Sequence, residues 1–274
     1  MINKDYISNE VGNIFAILDA EDMPEMHKYL ASIMDDEGFV AVSPYEIAAN
    51  LMRCDRTQEI PDYIGCFILD MFETAIADGN ADAMNDLGAI YYDGDRGFEQ
   101  SFDKAIELYL QAAENGSRQA QENLGYCYYY GRDGKEPDYE KAFHYFALGA
   151  FDGHLISLYK IGDMYLNGLY VRKNESEAFN IYMHCLDTMT DEVAKFVAGP
   201  VHLRLGKMFL YGLGTERNYR NALICYQKAE AFLYDMVANG DSKYRKSLQA
   251  AINGQAKVRE LLLDELPENN WNFD

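Results

Sequence analysis

Four segments of this chain repeat one pattern of glycine, alanine and aromatic residues, and this repetition constrains the fold more than any other feature. The segments contain "LGAIYYDG", "LGYCYYYG", "IGDMYLNG" and "LGKMFLYG", whose first glycines are Gly88, Gly125, Gly162 and Gly206, spaced 37, 37 and 44 residues apart. An alanine stands 16 or 17 residues after each of these glycines, and an aromatic residue stands four positions after each alanine. The pairs are Ala105 and Tyr109, Ala142 and Phe146, Ala178 and Tyr182, and Ala222 and Tyr226. Periods of this length predict an array of stacked supersecondary units.

Capping residues predict that each repeat is a pair of helices. A side chain that can cap a helix start stands four residues before each repeat alanine: Ser101, Asp138, Asn174 and Asn218. Glycines are placed to end the first helices (Gly94, Gly131, Gly168 and Gly212) and three of the second helices (Gly79, Gly116 and Gly153). No alternating strand pattern competes with this assignment, so the predicted class is all-α.

Residues five and one before each repeat glycine, and three after it, fall on one stripe of the first helix. This stripe predicts that Tyr91, Tyr128 and Tyr165 belong to the core. A mid-helix glycine costs about 1 kcal/mol relative to alanine. We therefore expect each glycine to allow close packing against the repeat alanine of the second helix.

The remaining positions of the first helices form a second face that is rich in tyrosine and acids. Tyrosine offers a large rigid contact area with a polar tip, which suits recognition surfaces. The predicted partner-binding residues are Asn85, Tyr92, Asp93, Glu122, Tyr126, Tyr129, Tyr130, Tyr159, Asp163, Asn167 and Tyr211.

These motifs resemble those of the Sel-one-like repeat (SLR) proteins, relatives of the tetratricopeptide repeats with longer units. The match is nearly complete in "AMNDLGAIYYDG…DKAIELYLQAAENG" and good in "AQENLGYCYYYG…EKAFHYFALGAFDG". The resemblance covers about residues 80–232 and implies an α/α superhelical solenoid. It also implies that the first helices line a concave, protein-binding surface.

We expect one continuous domain with atypical ends, because terminal repeats of a solenoid must cover its apolar edges. The predicted parts are N-terminal capping helices (1–40), a degenerate helical repeat (41–79), four repeats (80–116, 117–153, 154–199 and 200–232) and a C-terminal capping helix with a tail (233–274). The 44-residue spacing adds seven residues, which we assign to a longer second helix in the third repeat. In the tail, Trp271 is expected to dock on its own chain, and docking in a neighbour's groove is the alternative.

Charge points to the class of partner. The net charge is −21, and the acidic excess lies in residues 1–190, while residues 191–274 carry equal numbers of acids and bases. Such a surface repels nucleic acid and anionic lipid and favours a basic protein or peptide. The first hypothesis is therefore a non-enzymatic scaffold, and a sharper variant is an immunity-type inhibitor that masks a basic toxin or enzyme. Solubility alone is the simpler explanation of the charge.

No pattern in the chain carries a clear chemical activity. Residues 93–104 have alternating acids but lack the glycine and glutamate of a calcium loop, and the five histidines lack zinc spacing. We expect no cofactor and no metal, and an enzyme with a site in the groove remains the less favoured alternative. The five cysteines form no Cys-x-x-Cys pair and no secretory leader is recognisable, so we expect reduced, mostly buried thiols in a cytoplasmic protein.

Overall fold

The computed structural model describes residues 4–34, 42–54, 59–94, 96–132 and 135–264. Within these ranges the fold is all-α, with thirteen α-helices, one short 3₁₀ turn and no β-strand. The chain divides into two compact units, Met1–Pro137 (the N-terminal unit) and Asp138–Asp274 (the C-terminal unit). The predicted tail residue Trp271 lies outside the described residues.

In the part of the N-terminal unit that the structure describes, seven helices each pack on the next along the chain. The first four correspond to the predicted cap and degenerate repeat, and the last three to the first repeat and the start of the second. They are α1 (Lys4–Ala20), α2 (Pro24–Ile33), α3 (Pro44–Arg53), α4 (Asp62–Ala77), α5 (Ala81–Asp93), α6 (Phe102–Glu114) and α7 (Arg118–Tyr130).

Residues 138–264 of the C-terminal unit form six helices that also pack in chain order, and α9 additionally contacts α11. They are α8 (Tyr139–Phe151), α9 (Leu155–Asn167), α10 (Glu175–Thr188), α11 (Asp191–Tyr211), α12 (Tyr219–Ala238) and α13 (Arg245–Asp264). The predicted closing helix is therefore present as α13.

The predicted caps form. The side chains of Ser101, Asp138, Asn174 and Asn218 each accept a hydrogen bond from the backbone amide three residues later, which satisfies one of the unpaired donors at a helix start. The first helices end at Gly94, Gly131, Gly168 and Gly212, all in the left-handed conformation that glycine adopts without strain.

Each unit has its own apolar core. In the N-terminal unit, fully buried side chains of α1 to α4, among them Ile14, Leu30, Ile47 and Phe72, form one cluster that extends to α5. In the C-terminal unit, Tyr182 of α10 packs with Val201, Leu205 and Met208 of α11. The repeat alanines Ala105, Ala142, Ala178 and Ala222 are all fully buried.

Gly88, Gly162 and Gly206 pack closely on the second helix of their repeat, but the nearest group is the repeat aromatic rather than the alanine. A Cβ atom on Gly88 would lie 2.8 Å from the Tyr109 ring, one on Gly162 would lie 2.7 Å from the Tyr182 ring, and the Ala105 carbonyl is farther away, at 3.4 Å from the Gly88 position. The expectation of glycine–alanine packing was therefore wrong in detail. The alanine leaves room for the two helices to approach, and the aromatic ring then fills the space beside the glycine.

The seven additional residues lengthen a different helix from the one predicted. The second helix of the third repeat, α10, has 14 residues, whereas α11, the first helix of the fourth repeat, has 21. Helix α11 includes Pro200 and so runs across the boundary predicted at 199/200. Its partner α12 has 20 residues and ends before Gly240. Both helices of the fourth repeat are thus about two turns longer than α9, the 13-residue first helix of the third repeat, at 3.6 residues per turn. They lengthen together because each covers the apolar face of the other.

Three of the five cysteines, Cys127, Cys185 and Cys225, are buried, while Cys54 is half-buried and Cys66 is exposed. In the part of the chain that the structure describes, no helix is both long enough and apolar enough to cross a membrane.

Candidate functional site

The tyrosines at the end of α7 form an aromatic cluster on the surface of the N-terminal unit. The rings of Tyr126 and Tyr130, one helical turn apart, stack with their centroids 6.1 Å apart and an interplanar angle of 8°. Tyr129 meets Tyr130 edge-on at 5.0 Å. Tyr126 and Tyr129 are half-buried and Tyr130 is 46% exposed. The rings hold one another in place, so the cluster offers a preorganised contact surface.

Tyr92 of α5 and Arg132, just after α7, extend this cluster. The Tyr92 ring packs edge-on against Phe102 of α6, with centroids 5.2 Å apart. Arg132 donates a hydrogen bond from Nε to the Tyr92 hydroxyl at 2.7 Å, and its guanidinium lies 5.4 Å from the Tyr92 ring centroid and 5.0 Å from that of Tyr130. Burial raises the pKa of Tyr92, although the Arg132 charge acts in the opposite direction, so the phenol stays neutral. We call Tyr92, Tyr126, Tyr129, Tyr130 and Arg132 the tyrosine surface.

The predicted partner-binding residues divide by their position on the first helix. The residue five positions after the repeat glycine is exposed in all four repeats: Asp93, Tyr130, Asn167 and Tyr211. The residue three positions before the glycine is buried in the first three repeats, with exposed fractions of 7% for Asn85, 6% for Glu122 and 3% for Tyr159. Asp163, one position after its glycine, is also buried, at 6%. The prediction of a binding face was therefore wrong for Asn85, Glu122, Tyr159 and Asp163.

Asn85, Tyr159 and Asp163 are buried because α5 and α9 each pack on two neighbours within their own unit, the second helix of the same repeat and the next first helix. Within the N-terminal unit, Asn123 of α7 donates a hydrogen bond to the side-chain oxygen of Asn85 on α5, at 3.0 Å. Within the C-terminal unit, α9 contacts α11 in the same way, and the Arg204 guanidinium lies 4.9 Å from the Tyr159 ring centroid. The variable face of the sequence is therefore partly a helix–helix interface.

Asp163 and Arg204 form a bidentate ion pair between α9 and α11, in which the carboxylate is buried and the Arg204 side chain is 23% exposed. Arg204 Nη2 is 2.6 Å from Asp163 Oδ2, and the Nε atom contacts Oδ1. Tyr182 donates a hydrogen bond to the same carboxylate at 2.7 Å, and Lys160 lies 3.9 Å away. Burial alone would raise the pKa of Asp163, but Arg204, Lys160 and the Tyr182 hydroxyl hold it below the usual value. The carboxylate is engaged on all sides, and its role in this geometry is structural.

A cleft of about 340 Å³ lies in the N-terminal unit, between α3, α4 and α5. Its walls combine Phe72 and Ile90 with Arg53 and Asp86. Asp86 already accepts a hydrogen bond from the Tyr45 hydroxyl at 3.0 Å, and burial together with this carboxylate raises the pKa of Tyr45 to about 12. Among the described residues, no three His, Cys, Asp or Glu side chains are grouped so that they could hold a metal ion.

Arg132 and Arg204 are the contacts that the sequence analysis missed. Arg132 lies in the loop after the motif, where no helical period places it, and Arg204 lies on the first helix of the next repeat. The one available signal was chemical, since a guanidinium is a common partner for tyrosine rings and carboxylates.

Comparison with known proteins agrees with the helix pairs. The Sel1 repeat family matches residues 81–117, 118–154, 155–182 and 201–231. The fold resembles that of a protective antigen present in uropathogenic Escherichia coli strains, which displays an SLR fold, with 24% identity, a TM-score of 0.57 and coverage of 82% of this chain and 48% of the antigen. The chain thus spans about half the length of that protein.

A Sel1 repeat protein from Oxalobacter formigenes is also similar, with 23% identity, a TM-score of 0.53 and coverage of 74% of this chain and 77% of that one. An immunity protein from Pseudomonas aeruginosa is 18% identical, with coverage of 84% of this chain and 83% of that one and a TM-score of 0.44. No curated protein matches the chain.

The paired helices, their glycine caps and the solved structures together define an α/α solenoid repeat protein. More specifically, the chain belongs to the Sel1-like (Sel-one-like) repeat proteins, with four Sel1 repeats between residues 81 and 231. Sel1 repeat proteins generally mediate protein–protein interaction.

Proposed function

We propose that this chain is a non-enzymatic scaffold that binds a basic peptide or protein, with the tyrosine surface as the principal contact. The observation that carries the proposal is the packed group of Tyr126, Tyr129 and Tyr130, which presents aromatic area to solvent in a fixed arrangement. Preorganised aromatic side chains lose little conformational entropy on binding, and such residues dominate the free energy of many interfaces.

Charge supports a basic partner. The net charge is −21, and the exposed Asp93 ends the helix that carries Tyr92. An acidic surface accelerates encounter with a cationic partner and disfavours nucleic acid and anionic membranes. We therefore place the partner among proteins or peptides and propose a cytoplasmic location, where the cysteines remain reduced.

We assign no reaction to the chain. The pKa values of Asp163, Arg204 and Tyr182 are all shifted, that of Asp163 downward and those of Arg204 and Tyr182 upward, and these three side chains bond to one another within the C-terminal unit. A catalytic side chain must be able to reach the substrate and transfer a proton to it or form a bond with it. These three side chains are already bonded to one another, so we assign them a role in packing.

An immunity-type inhibitor is the second candidate, and net charge is the observation that favours it. An acidic protein can mask the cationic active site of a toxin or nuclease by complementing its potential. This candidate differs from a scaffold in its consequence, because binding would abolish the partner's activity. An activity assay of the partner with and without the chain separates the two.

The experiment begins by capturing the partner from the native lysate and identifying it. Association and dissociation rates are then measured with the purified partner at low and high salt, for the wild type and for Tyr126→Ala/Tyr129→Ala. Tyr234→Ala is the matched control, since Tyr234 is exposed on α12 outside the predicted binding face.

We expect association to slow as salt rises, because long-range attraction is screened beyond about 8 Å at physiological salt. Dissociation should change little with salt but should accelerate in the double variant, and Tyr234→Ala should behave as the wild type. An acidic partner, or a double variant with an unaltered dissociation rate, would overturn the proposal.

A further inference from the structure

Arg132 occupies a small aromatic site built from two different helices of the N-terminal unit. Tyr92 comes from α5 and Tyr130 from α7, and the guanidinium lies 5.4 Å and 5.0 Å from their respective ring centroids. Its Nε atom also donates a hydrogen bond to the Tyr92 hydroxyl, at 2.7 Å. A cation within about 6 Å of a ring centroid is attracted by the negative face of the ring. Two rings and one phenol oxygen therefore bind a single guanidinium.

The guanidinium is held without a carboxylate. Among the described residues Arg132 forms no ion pair, although the chain has 45 acidic residues and 24 basic ones. Lys135, three residues along the same loop, does pair with a carboxylate, that of Asp103. Arg132 is therefore held by aromatic rings, although Lys135 in the same loop is held by a carboxylate.

The site is also accessible. Tyr130 is 46% exposed, and Arg132 and Tyr92 are half-buried. Arg132 follows the left-handed Gly131 that ends α7, so its backbone lies outside the hydrogen-bonded helix. The arginine can leave without breaking a helical hydrogen bond, whereas the tyrosines are fixed on helices.

We propose that the rings of Tyr92 and Tyr130 form a binding site for an arginine side chain of the partner, and that Arg132 fills this site in the free protein. The proposal rests on the proposed function in one respect, namely that the partner is basic. An arginine is specified rather than a lysine because a planar guanidinium can stack on a ring while its Nε atom donates a hydrogen bond to the phenol.

Arg132 acts as an internal competitor in this arrangement. A tethered group has an effective concentration in the millimolar range, so a partner arginine must displace it. The apparent affinity falls in proportion to the fraction of molecules in which the site is open. If the site is open in about one molecule in ten, removing Arg132 raises the affinity for an arginine probe about tenfold.

The test uses the full chain and three blocked tripeptides that contain arginine, lysine or citrulline between two glycines. Citrulline has nearly the shape of arginine but no charge. Binding is followed by the NMR signals of the tyrosine rings in the wild type, Arg132→Ala and Arg132→Gln, and thermal unfolding verifies that each variant is folded. Arg217→Ala is the control, because Arg217 stands over the single ring of Tyr219, 5.3 Å from its centroid.

We expect both Arg132 variants to bind the arginine peptide more tightly than the wild type, by about tenfold for an open fraction of about one in ten. The lysine peptide should bind more weakly, the citrulline peptide should not bind, and Arg217→Ala should gain nothing. Adding Tyr92→Leu to Arg132→Ala should abolish the gain, while Tyr92→Phe, which keeps the ring, should retain part of it.

Two results would overturn the proposal. The first is that folded Arg132 variants bind the arginine peptide no better than the wild type does. The second is that arginine and citrulline peptides bind equally. A lower melting temperature with no gain in binding would show that Arg132 only anchors its loop. These outcomes do not depend on the natural partner, so a failure here would leave the scaffold proposal standing. An acidic natural partner, in turn, would refute the scaffold proposal without changing the peptide result.

Discussion

The glycine–tyrosine contact at Gly88 gives a sharp test of the packing argument, because Gly12 provides a matched control in the same unit. Both glycines lie within helices, Gly88 in α5 and Gly12 at the centre of α1. An alanine Cβ at Gly88 would lie 2.8 Å and 2.9 Å from Tyr109 ring carbons, whereas one at Gly12 would have nothing within 4 Å. The same substitution therefore removes the same backbone flexibility in two different surroundings.

The expected changes have opposite signs. Replacing a mid-helix glycine by alanine stabilises a helix by about 1 kcal/mol. Gly12→Ala should show this gain in full. At Gly88 the optimal carbon–carbon separation of about 3.5–4.0 Å is violated, so the ring or the helix must shift by roughly 0.7 Å or more. Tyr109 is only 2% exposed and cannot move aside. Overpacking of this kind costs about 1–3 kcal/mol. After the helix gain of about 1 kcal/mol is subtracted, Gly88→Ala should be destabilising by up to about 2 kcal/mol net.

Urea unfolding followed by circular dichroism measures both changes, provided that the dependence of the unfolding free energy on urea concentration is unaltered. A double variant, Gly88→Ala/Tyr109→Leu, identifies the cause, because removing the ring should relieve most of the strain and give a favourable coupling energy. If Gly88→Ala stabilises the protein as Gly12→Ala does, the ring does not define the distance between α5 and α6. An unfavourable Gly88→Ala that Tyr109→Leu does not relieve would likewise refute the argument.

Two further predictions concern buried polar groups of the C-terminal unit. Asp163→Asn should lower the free energy of unfolding by about 3 kcal/mol, the lower end of the range for a buried pair, because the partly exposed Arg204 loses its counter-ion. Asp163→Leu/Arg204→Met should recover much of this loss in the same urea assay. Burial, with a smaller effect of Lys228, lowers the pKa of His202 to about 4. Between pH 6.5 and pH 4 the His202 imidazole is therefore protonated in the unfolded chain and neutral in the folded chain. The free energy of unfolding should fall by roughly 3 kcal/mol as the pH is lowered across this range. His202→Phe should remove this pH dependence, whereas His184→Phe, at an exposed position of α10, should retain it.

The helix boundaries were predictable from sequence because they depend on local chemistry. Ser101 and Asn218 cap helices by bonding to amides three residues away, and Gly94 and Gly212 end helices through their own backbone conformation. Each of these effects needs only a few neighbouring residues. The repeat then multiplies the signal, since the same residues recur at the same offsets in four copies.

The placement of the extra turns was not predictable by the same means. A count of residues shows that seven have been added between Gly162 and Gly206, but not which helix contains them. Pro200 favours a helix start nearby, since proline lacks the amide that an interior position needs, yet it lies inside α11. The match in length with α12 decides the outcome, and that match is a tertiary effect.

The binding face was predicted too broadly for a related reason. Helical period assigns residues to faces, but it does not say how many neighbours a helix has. Tyr159 and Asp163 vary between repeats because each repeat uses its own pairing with the next first helix, here with Arg204. Variation at a position was therefore a sign of specific packing in these cases and not of exposure.

Among the predicted partner-binding positions, the one that is exposed in every repeat lies at the end of the first helix. It is the position five residues after the glycine, occupied by Asp93, Tyr130, Asn167 and Tyr211. This position is in the last turn before the glycine cap, where the unpaired carbonyl groups give the helix end a partial negative charge. A cation is favoured there by the helix itself, as well as by the acids and the tyrosine rings. Arg132 lies at such an end, directly after Gly131, with its guanidinium against the rings of Tyr92 and Tyr130. The same physics that forces the helices together thus leaves a cation-attracting position at the end of each first helix.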